Sequence, residues 1–366
     1  VATVKAVYNS AKSLKHFSRN KYEPEIIDAF GEWNEYDKHN SELNFFKLNK
    51  SNFLLQLSSK GFIFSRIKYI LIFLLCFIPL IKYLLRRKPD YFIIHLITSL
   101  PLFLNYFFKF KSKIILRISG KPKMNILRYF FWKITLKKIY KITFPTKETY
   151  QYFKDLNIVD NSKLSVLYDP VLDIKKTHQL LTEDSKKLEK FGDYFLCIGR
   201  LTKQKNFSFI IKCFKTICSK GNKSKLIIIG EGEEYNKLKL LIDKNNLQDK
   251  VILAGYKKNV FKYLKKAKAF ILSSLWEDPG FVLVEAIYSN TFVMSSDCPS
   301  GPKELIAENK GILFKSNSEN DFLEKFSNFE KLSQQDLKRI KINAKKNIKK
   351  FTLFNHCNHL AKYILN

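Results

Sequence analysis

Short apolar runs bounded by Gly, Pro, Asn or Asp recur along this chain. They alternate with segments in which apolar residues return every three or four positions. Runs of the first kind read as buried strands and the second as amphipathic helices. The chain opens on a helical pattern through Leu14 with no strand ahead of it. Residues 25–30 read as a strand, and residues 36–52 as a polar, variable connection. Further strands are expected at 90–95, 114–120, 141–144 and 164–168. Asp169-Pro170 and the polar run to Lys190 mark a link. Strand–helix units then fill residues 194–314, and an amphipathic tail over 335–365 closes the chain. Strands alternating with helices predict an α/β protein with parallel, doubly wound sheets.

Residues 67–85 are the most apolar stretch, nearly unbroken from Tyr69 to Ile81. The run is short for a membrane span and carries Lys68, Pro79 and Lys82, which argues against a transmembrane helix. Two readings stay open. It is a core helix of the first domain, or a helix at a membrane surface with Arg86-Arg87-Lys88 on lipid phosphates. One helix serves both if its faces divide the work.

The chemistry concentrates in Trp276-Glu277-Asp278-Pro279-Gly280-Phe281-Val282-Leu283-Val284-Glu285. The apolar run 269–273 before it reads as a strand, and 281–289 after it as a helix turned in at Gly280. Glu277 is then expected in the loop at the carboxyl end of a strand, and Glu285 just inside a helix. In an open parallel sheet ligands bind at that edge. Free N–H groups at the helix start can hold ligand oxygens, and carboxylates accept hydroxyl hydrogens. A sugar nucleotide combines both features.

These residues resemble the E-x7-E signature of retaining, GT-B-fold glycosyltransferases of family four. Ile198-Gly199-Arg200-Leu201-Thr202-Lys203-Gln204-Lys205-Asn206 resembles the family's strand and G-R-L-x-x-x-K-G turn, with Asn206 in the glycine's place. Ile229-Gly230-Glu231-Gly232, Ala254-Gly255-Tyr256 and Ser300-Gly301-Pro302-Lys303-Glu304 are similar to later family motifs, in the family's order. The resemblance implies two Rossmann-like domains facing across a cleft. They are placed at residues 1–175 (acceptor side) and 176–350 (nucleotide sugar), with 351–366 as a helix crossing back to the first. Family members begin with a strand and a glycine-rich loop, so that strand and loop are expected to be missing ahead of the first helix, leaving weak activity or none.

The resemblance further implies roles. Arg200 and Lys205 grip the donor diphosphate, Glu285 the ribose, and Glu277 the donor sugar, helped by backbone N–H groups of Gly280, Phe281 and Val282. Pro279, which lacks an N–H, departs from the family's E-G-F-G and leaves the sugar unidentified. Gly230, Gly255 and Tyr256 line the base site. His95 stands in the place of the family's histidine, five residues after the Pro-Asp strand start, here Pro89-Asp90, and takes an active-site role beside Glu277. Arg117 and Ser119, at a neighbouring strand end, are candidates for an acceptor phosphate; a buried ion pair is the other reading of Arg117. No covalent nucleophile stands out, and front-side attack needs none. No Asp-x-Asp occupies a suitable loop, so neither metal nor cofactor is expected.

Composition adds two points. The formal charge of +32, from 65 Lys and Arg against 33 Asp and Glu, favours anionic partners, although an A/T-rich coding bias gives the same lysines. No recognition motif supports nucleic acid. Six cysteines show no metal spacing and suit a reducing cytosol. His356-Cys357-Asn358-His359 is a metal motif or polar trim on a terminal helix. The expected partners are a nucleotide sugar, a lipid-linked or glycan acceptor and an anionic membrane surface, with the protein peripheral on its cytoplasmic face. A nucleotide-sugar-binding protein without turnover is the alternative; a phosphorylase would need a lysine-bound pyridoxal cofactor and far more chain, and an epimerase extra carboxylates in the first domain, where none is well placed.

Overall fold

The structure is a computed structural model describing residues 2–33, 42–49, 54, 62–95, 97–122 and 124–365. Two compact units divide the chain: Val1–Pro170 with Leu353–Asn366, and Val171–Thr352.

In the first unit, α1 (Ala2–Phe17) leads to β1 (Glu25–Asp28), which pairs in parallel with β2 (Asn44–Lys47). β2 lies in the stretch read as a connection. Its apolar content is only Phe45 and Phe46, too short a run to show a period of two. After α2 (Phe62–Arg87) come β3 (Tyr91–Ile94), α3 (Ser99–Phe107), β4 (Lys113–Arg117), α4 (Ile126–Thr135), β5 (Lys141–Phe144), α5 (Lys147–Leu156) and β6 (Leu164–Val166). β3, β4, β5 and β6 form one parallel sheet in that order.

α2 corrects the length argument made from its sequence. Its 26 residues include Pro79, and the window Arg66–Arg87 is long and apolar enough to cross a membrane by length and composition. One face is nevertheless core. Ile72, Cys76, Leu80, Tyr83 and Leu84, spaced at helical intervals, are buried with Phe30, Leu100 and Leu104. The opposite face leaves Ile67, Ile70, Leu74, Ile78 and Leu85 exposed.

In the second unit, α6 (Ile174–Thr182) occupies part of the expected link. Asp173 caps it by accepting from the Lys176 N–H, a local signal that the polar run concealed. Six strands and their helices follow: β7 (Tyr194–Ile198), α7 (Phe207–Ser219), β8 (Lys225–Ile229), α8 (Tyr235–Lys244), β9 (Val251–Leu253), α9 (Phe261–Lys266), β10 (Ala269–Leu272), α10 (Phe281–Tyr288), β11 (Phe292–Ser296), α11 (Pro302–Ile306) and β12 (Ile312–Phe314). α12 (Glu319–Glu330) and α13 (Gln334–Ile348) complete the unit. The strand order is β12-β11-β10-β7-β8-β9, all parallel. Covered on both faces, the strands are mostly apolar, as in Phe195, Leu196 and Cys197 of β7. α7 turns Phe207, Ile210, Ile211, Phe214 and Ile217 into the core at intervals of three and four.

The chain ends on α14 (Leu353–Tyr363), part of the first unit and packed on α1. Cys357, Leu360 and Ile364 share a cluster with Leu14, Ile115 and Leu167. The polar pattern of its other face hides a polar clamp. His356 Nδ1 donates to the Tyr168 carbonyl at 2.7 Å, so its Nε2 accepts from the Ser10 hydroxyl at 2.9 Å. Both ring nitrogens are thereby used and Cys357 is core, which leaves the motif no ligand set for a metal.

Candidate functional site

The strand order of the second unit reverses between β7 and β10, the two central neighbours. In open α/β sheets the carboxyl ends of the strands at such a reversal are where ligands bind. Residues 199–206 form the loop after β7 and 273–280 the loop after β10.

Both loops are tied together. The Leu275 N–H donates to the Gln204 carbonyl at 2.8 Å, and the Gln204 amide returns a bond to the Trp276 carbonyl at 2.8 Å. The Ser273 hydroxyl donates to the Lys205 carbonyl at 2.8 Å. Across this frame Lys205 Nζ meets Glu277 Oε1 at 2.5 Å, and the Ser274 hydroxyl donates to the same oxygen at 2.5 Å. The side chains of Lys205 and Glu277 are 14% and 6% exposed, so the pair is mostly shielded from water and its mutual attraction is strong. Among the described residues nothing bonds Glu277 Oε2, which can accept from a ligand hydroxyl. The Glu277 N–H donates to the Pro299 carbonyl at 2.8 Å, fixing the loop to the one that follows β11.

Backbone geometry explains several residue choices. Gly230, at φ +145°, lies so close to the neighbouring loop that a Cβ would stand 1.9 Å from the Gly199 carbonyl oxygen. At Gly301, φ +118°, a Cβ would come within 2.2 Å of the Pro279 carbonyl oxygen. Asn206 takes φ +52°, ψ +41° ahead of α7. Asn tolerates this left-handed conformation better than most residues, which accounts for its replacing a glycine.

Arg200 is exposed one residue beyond Gly199. The Gly230 N–H donates to the Gly255 carbonyl at 3.0 Å, bringing those two turns together, with Tyr256 68% exposed beside them. Gly280 adopts φ +89° and starts α10, whose first residues Phe281 and Val282 are half-buried. Glu285 is half-buried one turn further on. The structure thus gathers Arg200, Lys205, Gly230, Gly255, Tyr256, Glu277, Gly280, Phe281, Val282 and Glu285 on one sheet edge. Sequence reading missed Ser274 and Gln204; two serines directly after an apolar strand at this edge were the available signal. It also passed over Cys298, whose thiol burial pushes up to about 11, keeping it protonated and unreactive.

The first unit places its candidates at strand ends too. His95 follows β3, with Nδ1 buried and unbonded among the described residues. Burial, then the Arg117 charge and His356, hold its pKa well below the ordinary 6.5, so the ring is neutral at neutral pH. Arg117 takes the ion-pair reading. Its Nε and Nη2 grip the two Asp169 oxygens at 2.8 and 2.5 Å, and Nη1 bonds the exposed Ser119 hydroxyl. With Arg117 5% and Asp169 1% exposed, this fork is a buried brace, and its geometry withdraws Arg117 from acceptor-phosphate binding.

A two-unit parallel α/β fold with a shielded ion pair at the switch point is the architecture of a GT-B-type protein. Residues 181–347, nearly the whole second unit, match the model of the family of glycosyl transferases group 1. An uncharacterised glycosyltransferase of Methanocaldococcus jannaschii is 36% identical over 249 residues, covering 62% of this chain and 60% of its own length. A Campylobacter jejuni enzyme is 26% identical over 266 residues, 70% of each chain; it is named N-acetylgalactosamine-N,N'-diacetylbacillosaminyl-diphospho-undecaprenol 4-alpha-N-acetylgalactosaminyltransferase. Among solved structures, Anabaena HepE in complex with UDP superposes with a TM-score of 0.74 at 11% identity, over 96% of this chain and 95% of that one, a likeness of fold.

Proposed function

We propose that the protein transfers a sugar from a nucleotide diphosphate sugar to a lipid-linked saccharide or related glycan, with retention at the anomeric carbon. The observation that carries this reading is the Lys205–Glu277–Ser274 cluster at the switch point of a group 1 unit. Lys205 and Arg200 supply fixed positive charge for the leaving diphosphate, in place of a divalent metal. Glu285 accepts from the ribose hydroxyls, and Glu277 Oε2 from a hydroxyl of the donor sugar. Backbone of Gly230, Gly255 and Tyr256 borders the base, while N–H groups at the start of α10 face sugar or phosphate oxygens. His95 is the first unit's candidate contact to the transferred group, and Ser119 its remaining acceptor candidate.

In the proposed step the acceptor oxygen bonds to the anomeric carbon as the carbon–phosphate oxygen bond breaks. The departing diphosphate takes the acceptor's proton on the same face, so the protein contributes positioning and electrostatics. The lipid-linked acceptor is supported by the undecaprenol in the Campylobacter relative's name and by α2. The exposed stripe Ile67, Ile70, Leu74, Ile78 and Leu85 runs opposite the core face, beside Lys82, Arg86 and Arg87. That pattern suits a helix lying on an anionic membrane.

Calorimetric titration with UDP, GDP and ADP tests the donor site. One of them should bind, and Glu285→Ala should weaken it by about 1.5–3 kcal/mol, as for a hydrogen bond to a charged group. No binding by any of the three, or an unchanged affinity in Glu285→Ala, overturns the assignment.

A further inference from the structure

The apolar surface of the first unit does not end with α2. α4 carries Ile126, Leu127, Phe130 and Ile134 at 76, 82, 55 and 44% exposure. At about 100° per residue these four share one face, roughly 100° wide. Trp132 and Thr135 point the other way, into the core. Isolated exposed apolar residues are ordinary, but four on one helix face form a patch that calls for an apolar neighbour. α3 lies against both α2 and α4 and ends in Phe107, 63% exposed, and Phe108. Ring contacts of Phe103 with Phe73, Phe77 and Phe107 join α2 to this corner.

The charge around these helices is of one sign. Residues 43–147 contain 21 Lys and Arg and a single acidic residue, Asp90. That stretch of the chain therefore carries +20 of the +32 total. On α4 itself Lys133 is exposed beside the apolar face, with the exposed Lys137 just beyond the helix, while the half-buried Arg128 turns back over the Trp132 ring. A soluble polyanion would be met by the cations alone and would leave the isoleucines and leucine in water. A protein partner would be expected to meet some charge of both signs. An anionic lipid bilayer matches both features: phosphates at the level of the cations and acyl chains below.

We propose that α4 is a second membrane-insertion element. The first unit meets an anionic bilayer through α2, the end of α3 and α4 together. Ile126, Leu127, Phe130 and Ile134 enter the acyl boundary, while Lys133 and Lys137 sit among the phosphates. One helix on a surface leaves the unit free to roll about the helix axis. A second, separate helix fixes the tilt, and so the face of the unit that looks along the membrane. This rests on the membrane reading given above and adds a distinct element to it.

The test is cosedimentation with phosphatidylglycerol–phosphatidylcholine vesicles and with pure phosphatidylcholine vesicles. It compares the unmodified protein, Ile126→Glu with Leu127→Glu, and Leu74→Glu with Ile78→Glu. Far-UV circular dichroism and nucleoside diphosphate affinity, a property of the second unit, verify folding of each variant. Both pairs should lower partitioning to anionic vesicles about tenfold or more, the scale set by burying one large aliphatic side chain. In addition, Leu127→Trp should sediment as the unmodified protein does, and the emission it adds should be quenched by brominated lipid. If the α4 pair partitions normally while the α2 pair does not, this proposal falls and the membrane reading stands. If the unmodified protein ignores anionic vesicles, both fall. Added emission that stays unquenched when the Leu127→Trp variant is vesicle-bound also overturns insertion of α4.

Discussion

Lys205 and Glu277 lie 72 residues apart in sequence and meet at 2.5 Å, each neutralising the other while largely shielded from water. A diphosphate entering beside Lys205 offers that ammonium a second anionic partner and frees part of Glu277 for a sugar hydroxyl. Lys205→Ala or Arg200→Ala should therefore lower kcat by about 10²-fold or more, as removal of one electrostatic stabiliser does. Turnover should persist in chelator; activity abolished by chelator and restored by magnesium or manganese counts against the metal-free proposal. A second residue-level prediction concerns His356, whose pKa burial pushes down to about 4. The folded protein disfavours the protonated ring. Its contribution is fully present above the ordinary 6.5 and is lost as pH falls from there towards 4. The integrated difference is about 3 kcal/mol, and His95 acts in the same direction. Thermal melts between pH 7 and pH 4 should show this slope, and His356→Gln should flatten it.

At the scale of elements, α2 separates two kinds of burial on one helix. Leu80 is 2% exposed in the core beside Cys76 and Leu84, whereas Ile78 is 60% exposed. Leu80→Ala should cost about 2–5 kcal/mol of stability in denaturant titrations, through lost transfer energy and a residual cavity. Ile78→Ala should change stability by less than about 0.5 kcal/mol and act on vesicle binding instead. Equal stability losses at both positions would mean that the outer face is also packed. The sequence reading took the span as short because the helix runs beyond the apolar core of the stretch, from Phe62 to Arg87. A helix can be long enough to cross a bilayer and still spend five side chains on a protein core.

For the whole molecule, the two compact units predict that a donor nucleotide acts on one of them. A nucleoside diphosphate at 100 times its Kd should add about 2.7 kcal/mol to the stability of the second unit. Differential scanning calorimetry should show the transition of residues 171–352 rising; a nucleotide that shifts only the other unit's transition places the site elsewhere. The net charge of +32 acts at the same scale. Vesicle binding should weaken as salt rises from about 0.05 to 0.5 M, because screening lengths fall below the spacing of the charges. Binding unaffected by salt would leave the lysines as compositional bias.

Sequence alone determined the α/β class, the six strands of the second unit and the loop positions of Glu277, Arg200 and Lys205. Those features are local: apolar runs bounded by turn residues, and glycines where Gly230 and Gly301 admit no side chain. The short β2 and the capped α6 escaped because four residues carry no readable period and a polar run hides a cap. Pairings could not be read at all. That Lys205 grips Glu277, that Ser274 shares its oxygen, and that Arg117 is spent on Asp169 follow from strand order and register. So does the clamp of His356 between α1 and the loop after β6, formed 346 residues apart from Ser10. Exposure was equally hidden: Leu127 and Leu136 read alike in sequence, yet one is 82% exposed and the other fully buried. Hydrophobicity states what a side chain can do in water or in a core. Only the tertiary packing decides which of the two surrounds it.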